Sequence, residues 1–443
     1  MTTFVLRIDP DDALPTDPED IVLDWFAGTR AASTVQADPR FLQGLAPSPL
    51  AQDLLRVAGA VYCADKLALR RRTPDRWTRD IRLDMPISTP ARWRATALLA
   101  EALDFLTGDH WTLSFRALSA PGSSGRAAEA GADMVCLFSG GLDSLCGAID
   151  LLESGKRLCL VAHYEGGLTP GVQHVLATAL AECYGPDRVE LRQIFLRPAA
   201  ASGAQARPLP RGREPSTRGR SFLFIAAALT VADALGPPAP VYVPENGFIG
   251  INVPLVRSRS GSLSTRTTHP YFLQALGVTV STLGIGNPLR NPYRLQTKGE
   301  MLQRSRNLRL LERLAPLSLS CAHPEAPRWR RRQQGNCGYC YPCLIRRAAM
   351  HAVGWDDPGA YAWDVLQDTS VLDQNRRIGA DLRAVLAAIT RERPTRDVLR
   401  NGPVPNGEVQ VFAGVFDRGR SELLAWLRTG SSQALRARLS AGS

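Results

Sequence analysis

The sequence predicts an α/β fold with a parallel sheet, and three observations of the region after residue 133 support this. Strand-like apolar runs alternate with helical patterns from residue 134 to about residue 285. The runs are continuously apolar, as in strands that helices cover on both faces. A Ser-Gly-Gly turn joins the first run directly to the first helical pattern. The 443 residues are enough for two or three domains.

Residues 1–120 predict an N-terminal α/β accessory domain. Patterns typical of strands occur in FVLRID, RDIRLDMPI and HWTLSFRAL. Helical spacing occurs in SPLAQDLLRVAGAVYCADKLALRRR and ARWRATALLAEALDFLTG. Residues 119–133 are small, polar and rich in glycine, which predicts a linker.

Residues 134–355 predict the main domain, in which strands and helices alternate. The predicted strands are MVCLFS, RLCLVAHY, RVELRQIFL, PVYVPENG and VTVSTLGI. The predicted helices are LDSLCGAIDLLESG, PGVQHVLATALAECYG, SFLFIAAALTVADALG and YFLQALG. Residues 197–220 predict a long loop rich in Pro and Arg, and residues 356–443 predict a helical C-terminal extension.

The charge of the chain favours anionic partners. Its formal net charge is +11, and the basic residues are 50 arginines and three lysines, Lys66, Lys156 and Lys298. Nucleotides, RNA or an acidic protein surface would all suit this charge. Nucleic acid is therefore an open partner but not a favoured one.

The sequence predicts a cytoplasmic protein that does not bind a membrane. No apolar run approaches the about 20 residues that a membrane helix needs. The first residues, MTTFVLRIDPDD, lack the basic and apolar regions of a signal peptide.

Residues 139–144, Ser-Gly-Gly-Leu-Asp-Ser, predict a phosphate site. A strand that turns through glycines into a helix surrounds an anion with backbone N–H groups, and the helix dipole favours negative charge there. Ser139 and Ser144 add hydroxyl groups, whereas Asp143 requires a cation such as Mg²⁺ beside the phosphates. The loop has neither the Gly-Lys-Ser/Thr ending of a Walker A motif nor the Gly-x-Gly-x-x-Gly spacing of a dinucleotide fold.

Four cysteines, Cys321, Cys337, Cys340 and Cys343, predict a metal site. Four thiolates suit a tetrahedral structural Zn²⁺. An iron–sulfur cluster is the alternative, but a ferredoxin-type run would continue with x₃-Cys-Pro after the third close cysteine, and here LIRR follows. His323 lies beside a proline and is not included among the ligands.

These two features together resemble a known family. The loop matches the Ser-Gly-Gly-x-Asp-Ser pyrophosphate loop of the N-type ATP pyrophosphatases. With CGYCYPCLIRR, in which Arg346 or Arg347 takes the family's Arg position, residues 133–355 resemble the 7-cyano-7-deazaguanine synthase family, QueC. The resemblance implies a Rossmann-like parallel sheet of the adenine nucleotide alpha hydrolase-like kind. It implies ATP contacts at Ser139, Gly140, Gly141, Leu142, Asp143, Ser144 and, in the adenine-side loop, His163.

Weaker matches extend the predicted site. RSFLFIAAALTVA resembles the family's Arg-Asn-x-x-Phe helix start and gives Arg220, and TKGEML resembles a Thr/Ser-Lys-x-Glu start and gives Lys298. With Asp143, these are the predicted catalytic residues. GVQHVLATALAE resembles a helix with a Gln-x-His motif and gives His174 as a substrate residue. Glu245 and Asn246 follow a strand at its carboxyl end, where open α/β sheets bind ligands, and predict a substrate-side loop.

The resemblance implies an ATP-dependent carbon–nitrogen ligase that uses ATP, Mg²⁺ and Zn²⁺ and adenylates a deazapurine acid. The long gap between Cys321 and Cys337, the loop AHYEGG and the Arg-rich residues 197–220 depart from the family. Such an extended form resembles the QueC-like subunit of anti-phage defence operons, the QatC type. The acceptor would be ammonia or a protein amine, and proteins of the same operon would be partners.

Two other functions stay open. Enzymes that thiolate transfer RNA also pair a pyrophosphate loop with cysteines, and the net charge suits RNA. A nucleotide-sensing subunit would bind ATP and a partner without chemistry, and the intact loop motif argues against it.

Overall fold

The computed structural model describes residues 1–441 with some gaps. These gaps are residues 13–16, 27–32, 95–96, 119–130, 201–208, 216–217, 237–238, 256–265 and 390–393. Most of the predicted linker and part of the predicted 197–220 loop lie outside the described residues. The described residues form parallel-stranded sheets with helices around them, which confirms the α/β class.

The strands build two sheets. In chain order they are β1 (Thr2–Arg7), β2 (Ile21–Asp24), β3 (Val35–Ala37), β4 (Asp80–Ile87), β5 (His110–Ala117), β6 (Met134–Leu137), β7 (Leu158–Tyr164), β8 (Val189–Pro198), β9 (Val241–Tyr242) and β10 (Leu289–Arg290). The first sheet has the order β2-β1-β4-β5 and is parallel throughout. The second has the order β10-β9-β6-β7-β8-β3, with β3 antiparallel to β8. Its parallel strands end along one edge, where such sheets bind ligands.

The helices cover these sheets and form the C-terminal part of the chain. They are α1 (Pro49–Leu67), α2 (Pro90–Arg94), α3 (Ala97–Thr107), α4 (Leu142–Leu152), α5 (Thr169–Tyr184), α6 (Gly219–Leu235), α7 (Gly247–Gly250), α8 (Pro270–Leu283), α9 (Lys298–Gln303), α10 (Leu308–Leu314), α11 (Tyr341–Ala352), α12 (Ala380–Ile389), α13 (Pro394–Leu399), α14 (Val409–Gly430) and α15 (Gln433–Ala441). The predicted helical character of the last ninety or so residues is confirmed by α12–α15.

One predicted strand is wrong. Residues 278–285, VTVSTLGI, were predicted as a strand because valine and threonine favour extended backbone. Residues 278–283 instead continue α8, and Gly284 ends the helix with φ +95°. Leu276, Val280 and Leu283 are buried at helical spacing, so packing of this face overrides the local preference.

The N-terminal segment contributes directly to the second sheet. Its strand β3 pairs with β8, and its helix α1 packs along α6. Phe4 from the first sheet, Tyr62 from α1 and Phe222 from α6 belong to one contiguous buried apolar cluster. The first 120 residues therefore supply an edge strand and a covering helix to the sheet that carries the glycine-rich loop.

Buried ion pairs fix the position of the N-terminal segment. Arg79 contacts Asp65 at 2.6 Å and Asp109 at 2.5 Å, and Arg70 contacts Asp109 at 2.7 Å. Burial raises the pKa of Asp109, but hydrogen bonds and charge from Arg79 outweigh this and hold the pKa below its usual value. Asp65 also accepts a 2.8 Å hydrogen bond from the Gly219 N–H, the first residue of α6.

The C-terminal extension packs beside the carboxyl edge of the second sheet. Helix α14 lies against α7 and α11, and Phe416 of α14 stacks on Phe248 of α7 with ring centroids 5.8 Å apart. These contacts belong to a second buried apolar cluster. Within the described ranges, no helix combines the length and the hydropathy that crossing a bilayer requires.

We expect Asp109→Asn to destabilise the protein by about 3–5 kcal/mol, because it removes the buried carboxylate that Arg70 and Arg79 share and leaves Asp65 to pair with Arg79 alone. Urea denaturation measures this loss. Asp133→Asn is the matched control, since Asp133 forms an exposed pair with Arg157, and it should hardly move the midpoint. Equal shifts in both variants would contradict a stabilising role of the buried pairs.

Candidate functional site

The glycine-rich loop, residues 139–144, turns sharply from β6 into α4. Gly140 has φ +82°, in the left-handed region that glycine adopts readily. A Cβ at Gly140 would also lie 3.3 Å from the side chains of Val172 and Gln173 on α5. Backbone conformation and close packing both explain why glycine occupies this position.

Serine hydroxyls cover the first N–H groups at the start of α4. The Gly141 N–H donates to Ser139 Oγ and the Leu142 N–H donates to Ser320 Oγ, each at 3.2 Å. Ser144 Oγ donates to the Gly141 carbonyl at 2.9 Å and lies 3.2 Å from Ser139 Oγ. A phosphate oxygen can take the place of a hydroxyl acceptor at such N–H groups, so this donor set fits an anion.

Asp143, within the loop, is buried and is held by an ion pair and a hydrogen bond. Lys298 Nζ lies 3.0 Å from Asp143 Oδ1, and Asn246 Nδ2 donates to Asp143 Oδ2 at 2.7 Å. Burial raises the pKa of Asp143, but the Lys298 charge and hydrogen bonds with Glu245 and Asn246 outweigh it and lower the pKa. The carboxyl group is therefore ionised at neutral pH.

Lys298 is held at this site by the first turn of α9 and by the C-terminal extension. Thr297 and Glu300 form a capping box at the start of α9. Glu422 of α14 accepts hydrogen bonds from Thr297 Oγ1 and, at 3.2 Å, from the Gly299 N–H. A Cβ at Gly299 would lie 2.6 Å from the Glu422 carboxylate. Sequence reasoning missed Glu422 because no motif contains it.

Glu245 and Asn246 lie at the carboxyl end of β9, where a substrate-side loop was predicted. Asn246 caps α7, with its Oδ1 accepting from the Ile249 N–H at 3.0 Å while its Nδ2 contacts Asp143. The Glu245 carbonyl accepts from Asn291 Nδ2 at 2.9 Å. Asn246 thereby couples the backbone of this loop to Asp143.

His163 and Arg220 form a pair at the carboxyl end of β7. Arg220 Nε donates to His163 Nδ1 at 3.0 Å, and His163 Nε2 lies 3.4 Å from the Leu196 carbonyl. Burial and the Arg220 charge lower the pKa of His163 to about 3, so the ring is neutral at pH 7. Since both ring nitrogens have protein partners, His163 orients Arg220 in this structure and does not present a free nitrogen to the loop.

On α5 the structure brings Gln173 to the loop, whereas the predicted His174 is exposed. Gln173 Nε2 donates to the carbonyls of Ser139 at 3.3 Å and His163 at 3.4 Å. Gln173 Oε1 accepts a hydrogen bond from Gln193 Nε2 at 2.9 Å. Gln173 directly precedes His174 in GVQHVLATALAE. This segment therefore indicated a site residue, but His174 was predicted in place of Gln173.

The four cysteines form a compact cluster. Their sulfur atoms all lie within 4.8 Å of one another. The distances from Cys321 to Cys340 and from Cys337 to Cys343 are both 3.9 Å. Four sulfurs bound tetrahedrally to zinc would lie about 3.8 Å apart, given a Zn–S distance of about 2.3 Å. The cluster can therefore hold a metal ion such as zinc.

A short segment connects this cluster to the loop. The Leu319 N–H donates to the Gly140 carbonyl at 2.9 Å, and Ser320, which precedes Cys321, accepts from the first turn of α4 as described above. The Ser320 N–H in turn donates to Asn336 Oδ1 at 3.1 Å. Sequence reasoning missed Ser320, whose position directly before the first cysteine was the available signal.

Arg346 and Arg347 are both buried structural residues. Arg346 donates to Ser318 Oγ at 2.7 Å, in the segment just described. Arg347 contacts Asp356 at 3.1 Å and Asp364 at 2.8 Å. Neither guanidinium reaches the loop through these contacts.

We expect Cys340→Ser to lower the metal content from about one ion per chain towards zero, because a tetrahedral site needs all four thiolates. Mass spectrometry of the metals in purified protein measures this and identifies the ion. Hydrogen exchange at residues 139–144 should also become faster, since the segment that holds the loop loses its support. Cys183→Ser, at an exposed position, is the control, and equal metal content in both variants would contradict the assignment.

The comparisons with known proteins assign the chain to no family. No family model, no curated protein and no solved structure matches the chain. The structure itself gives an α/β fold with a parallel-stranded sheet and a four-cysteine cluster. The more specific pyrophosphatase fold stays a prediction from the sequence.

Proposed function

We propose that the protein is an ATP-dependent ligase that adenylates the carboxylate of a 7-deazaguanine acid and transfers the acyl group to an amine. The observation that carries this proposal is the 3.0 Å ion pair of Asp143 and Lys298 beside the glycine-rich loop. Asp143 and Lys298 were predicted from two motifs that lie far apart in the sequence. Their meeting at the carboxyl edge of a parallel sheet supports a common role.

In this proposal residues 139–144 hold the phosphates of ATP. The N–H groups of Gly141 and Leu142 and the hydroxyls of Ser139 and Ser144 supply hydrogen bonds. The side chains supply little net positive charge, because Asp143 offsets Lys298. A triphosphate therefore needs a divalent cation, and Mg²⁺ at Asp143 would neutralise part of its charge.

The proposed chemistry has two displacement steps. A carboxylate oxygen of the acid attacks the α-phosphorus, the bond to the bridging oxygen breaks, and pyrophosphate leaves with the electron pair. The amine nitrogen then attacks the acyl carbon and loses a proton as AMP leaves. Lys298 and the N–H groups of the loop stabilise charge on pyrophosphate, and Arg220 orients the acid.

We assign zinc to the cysteine cluster, with a structural role. The cluster reaches the loop through Leu319 and Ser320, which do not present a metal to the substrate. Such a closed set of four thiolates leaves no position for a reacting ligand.

The cysteines argue against an RNA-thiolating enzyme. All nine lie within the described residues, and Cys183 on α5 is the exposed one. Cys136 of β6, Cys146 of α4 and Cys159 of β7 are buried, and burial raises the pKa of each thiol. Thiolation needs a reactive thiolate or an iron–sulfur cluster. Buried neutral thiols do not supply the thiolate, and the spacing of the four clustered cysteines favours zinc over an iron–sulfur cluster.

We expect the protein to release AMP and pyrophosphate from ATP and Mg²⁺ when 7-carboxy-7-deazaguanine is present. Asp143→Asn and Lys298→Met should each lower this rate by about 100-fold, as for loss of a group that stabilises transition-state charge. Lys156→Met, at an exposed position, is the control for Lys298→Met. The products can be followed by chromatography.

The amine is identified in separate mixtures with ammonia and with candidate partner proteins. Faster turnover with ammonia indicates a small-molecule product, and a mass increase on a protein indicates a protein amine. If the protein binds ATP but releases neither product with any acid, the ligase proposal fails and a nucleotide-sensing role replaces it.

A further inference from the structure

A cleft separate from the loop lies at the same edge of the second sheet, where β7 and β8 end. Its volume is about 420 Å³, within the range of small-molecule pockets. The N-terminal segment forms one wall through the end of α1. The lining residues are Lys66, Glu165, Arg197, Pro198, Ala199, Ala200, Gly212 and Arg213.

The cleft carries surplus positive charge. Lys66, Arg197 and Arg213 line it, and Glu165 is the carboxylate among its lining residues. Glu165 lies 3.3 Å from Lys66 Nζ and also faces the Arg220 guanidinium. One carboxylate cannot neutralise four cations, so the cleft attracts an anion.

The hydrogen-bond partners of Arg213, in the cleft lining, and of Arg220, beside the cleft, are uncharged groups. Arg213 donates to the backbone carbonyls of Ala199, Pro210 and Gly212. Arg220 donates to the neutral His163 ring and to its carbonyl. These hydrogen bonds fix the guanidinium positions but leave their charges uncompensated.

The positive charges of the cleft also affect Lys66. Burial lowers the pKa of Lys66, the Asp65 charge partly offsets this, and the nearby Arg220 and Arg213 charges lower the pKa further. Its neighbour Asp65 is already bound by Arg79 and by the start of α6. The ammonium therefore shares Glu165 with the arginines, and an anionic ligand would relieve the repulsion.

The cleft is close to the loop but separate from it. Gln173 bridges the carbonyls of His163 and Ser139, so β7 and β6 end side by side. Adjacent strands lie about 4.8 Å apart. None of the residues that line the cleft belongs to the loop or contacts Asp143.

We propose that this cleft binds the carboxylate or phosphate group of a small molecule, with Lys66 as its main cationic contact. The site exists because the N-terminal segment places Lys66 opposite the ends of β7 and β8. The proposal rests on the charges and the cavity, and Arg220 is the residue that it shares with the proposed ligase site.

The test is calorimetric titration of the full chain with inorganic phosphate and, separately, with 7-carboxy-7-deazaguanine. At least one probe should bind, and Lys66→Met should weaken that binding by about tenfold or more, as expected for loss of a charged hydrogen bond. Lys156→Met should leave the affinity unchanged. Binding of phosphate alone identifies a phosphate ligand, and binding of the acid alone identifies a carboxylate ligand.

Two further variants separate this site from the loop and from misfolding. A loss of affinity for the probe in Lys298→Met but not in Lys66→Met would place the anion at the loop and overturn the proposal. Glu165→Gln removes the negative charge and should tighten binding, which a misfolded variant would not do. No binding of either probe to the unaltered protein would also overturn it.

Discussion

The geometry of the glycine-rich loop depends on its hydrogen bonds to the segment that enters the cysteine cluster. Leu319 donates to the carbonyl of Gly140 at 2.9 Å, and Ser320 accepts from the Leu142 N–H at 3.2 Å. Cys321 follows immediately, so a metal bound to its sulfur would fix the end of this segment. A structural metal centre can thereby determine the shape of a phosphate site without contacting a ligand.

The two additions to the main domain act in the same physical way. Asp65 from the N-terminal segment accepts from the first N–H of α6, directly before Arg220. Glu422 from the C-terminal extension accepts from the Gly299 N–H of α9, directly after Lys298. A carboxylate at a helix N-terminus is favoured by the helix dipole and satisfies an N–H group there. Each addition therefore orients a helix start that carries a cation of the site.

Sequence analysis predicted those elements whose formation depends on neighbouring residues in the chain. The strand-turn-helix around residues 139–144 and the helix start at Lys298 depend on residues close together in the chain, so local sequence patterns indicate them. Glu422 acts through contacts between distant segments, which no local pattern records, whereas Gln173 lies in a predicted motif and was passed over for His174. The strand prediction for residues 278–283 was wrong because the packing of α8 determines their conformation.

Charge distinguishes the two sites along the edge of the sheet. At the loop, Lys298 is paired with Asp143 and the Glu245 carboxyl lies beside them, so the side chains offer little net attraction for a polyphosphate. In the proposed function, ATP binding at the loop therefore relies on N–H groups and an added divalent cation. In the cleft, Lys66 and the arginines exceed Glu165, so an anion can bind without a metal. From this difference in charge we expect that anion binding at the loop depends on Mg²⁺ and that anion binding in the cleft does not.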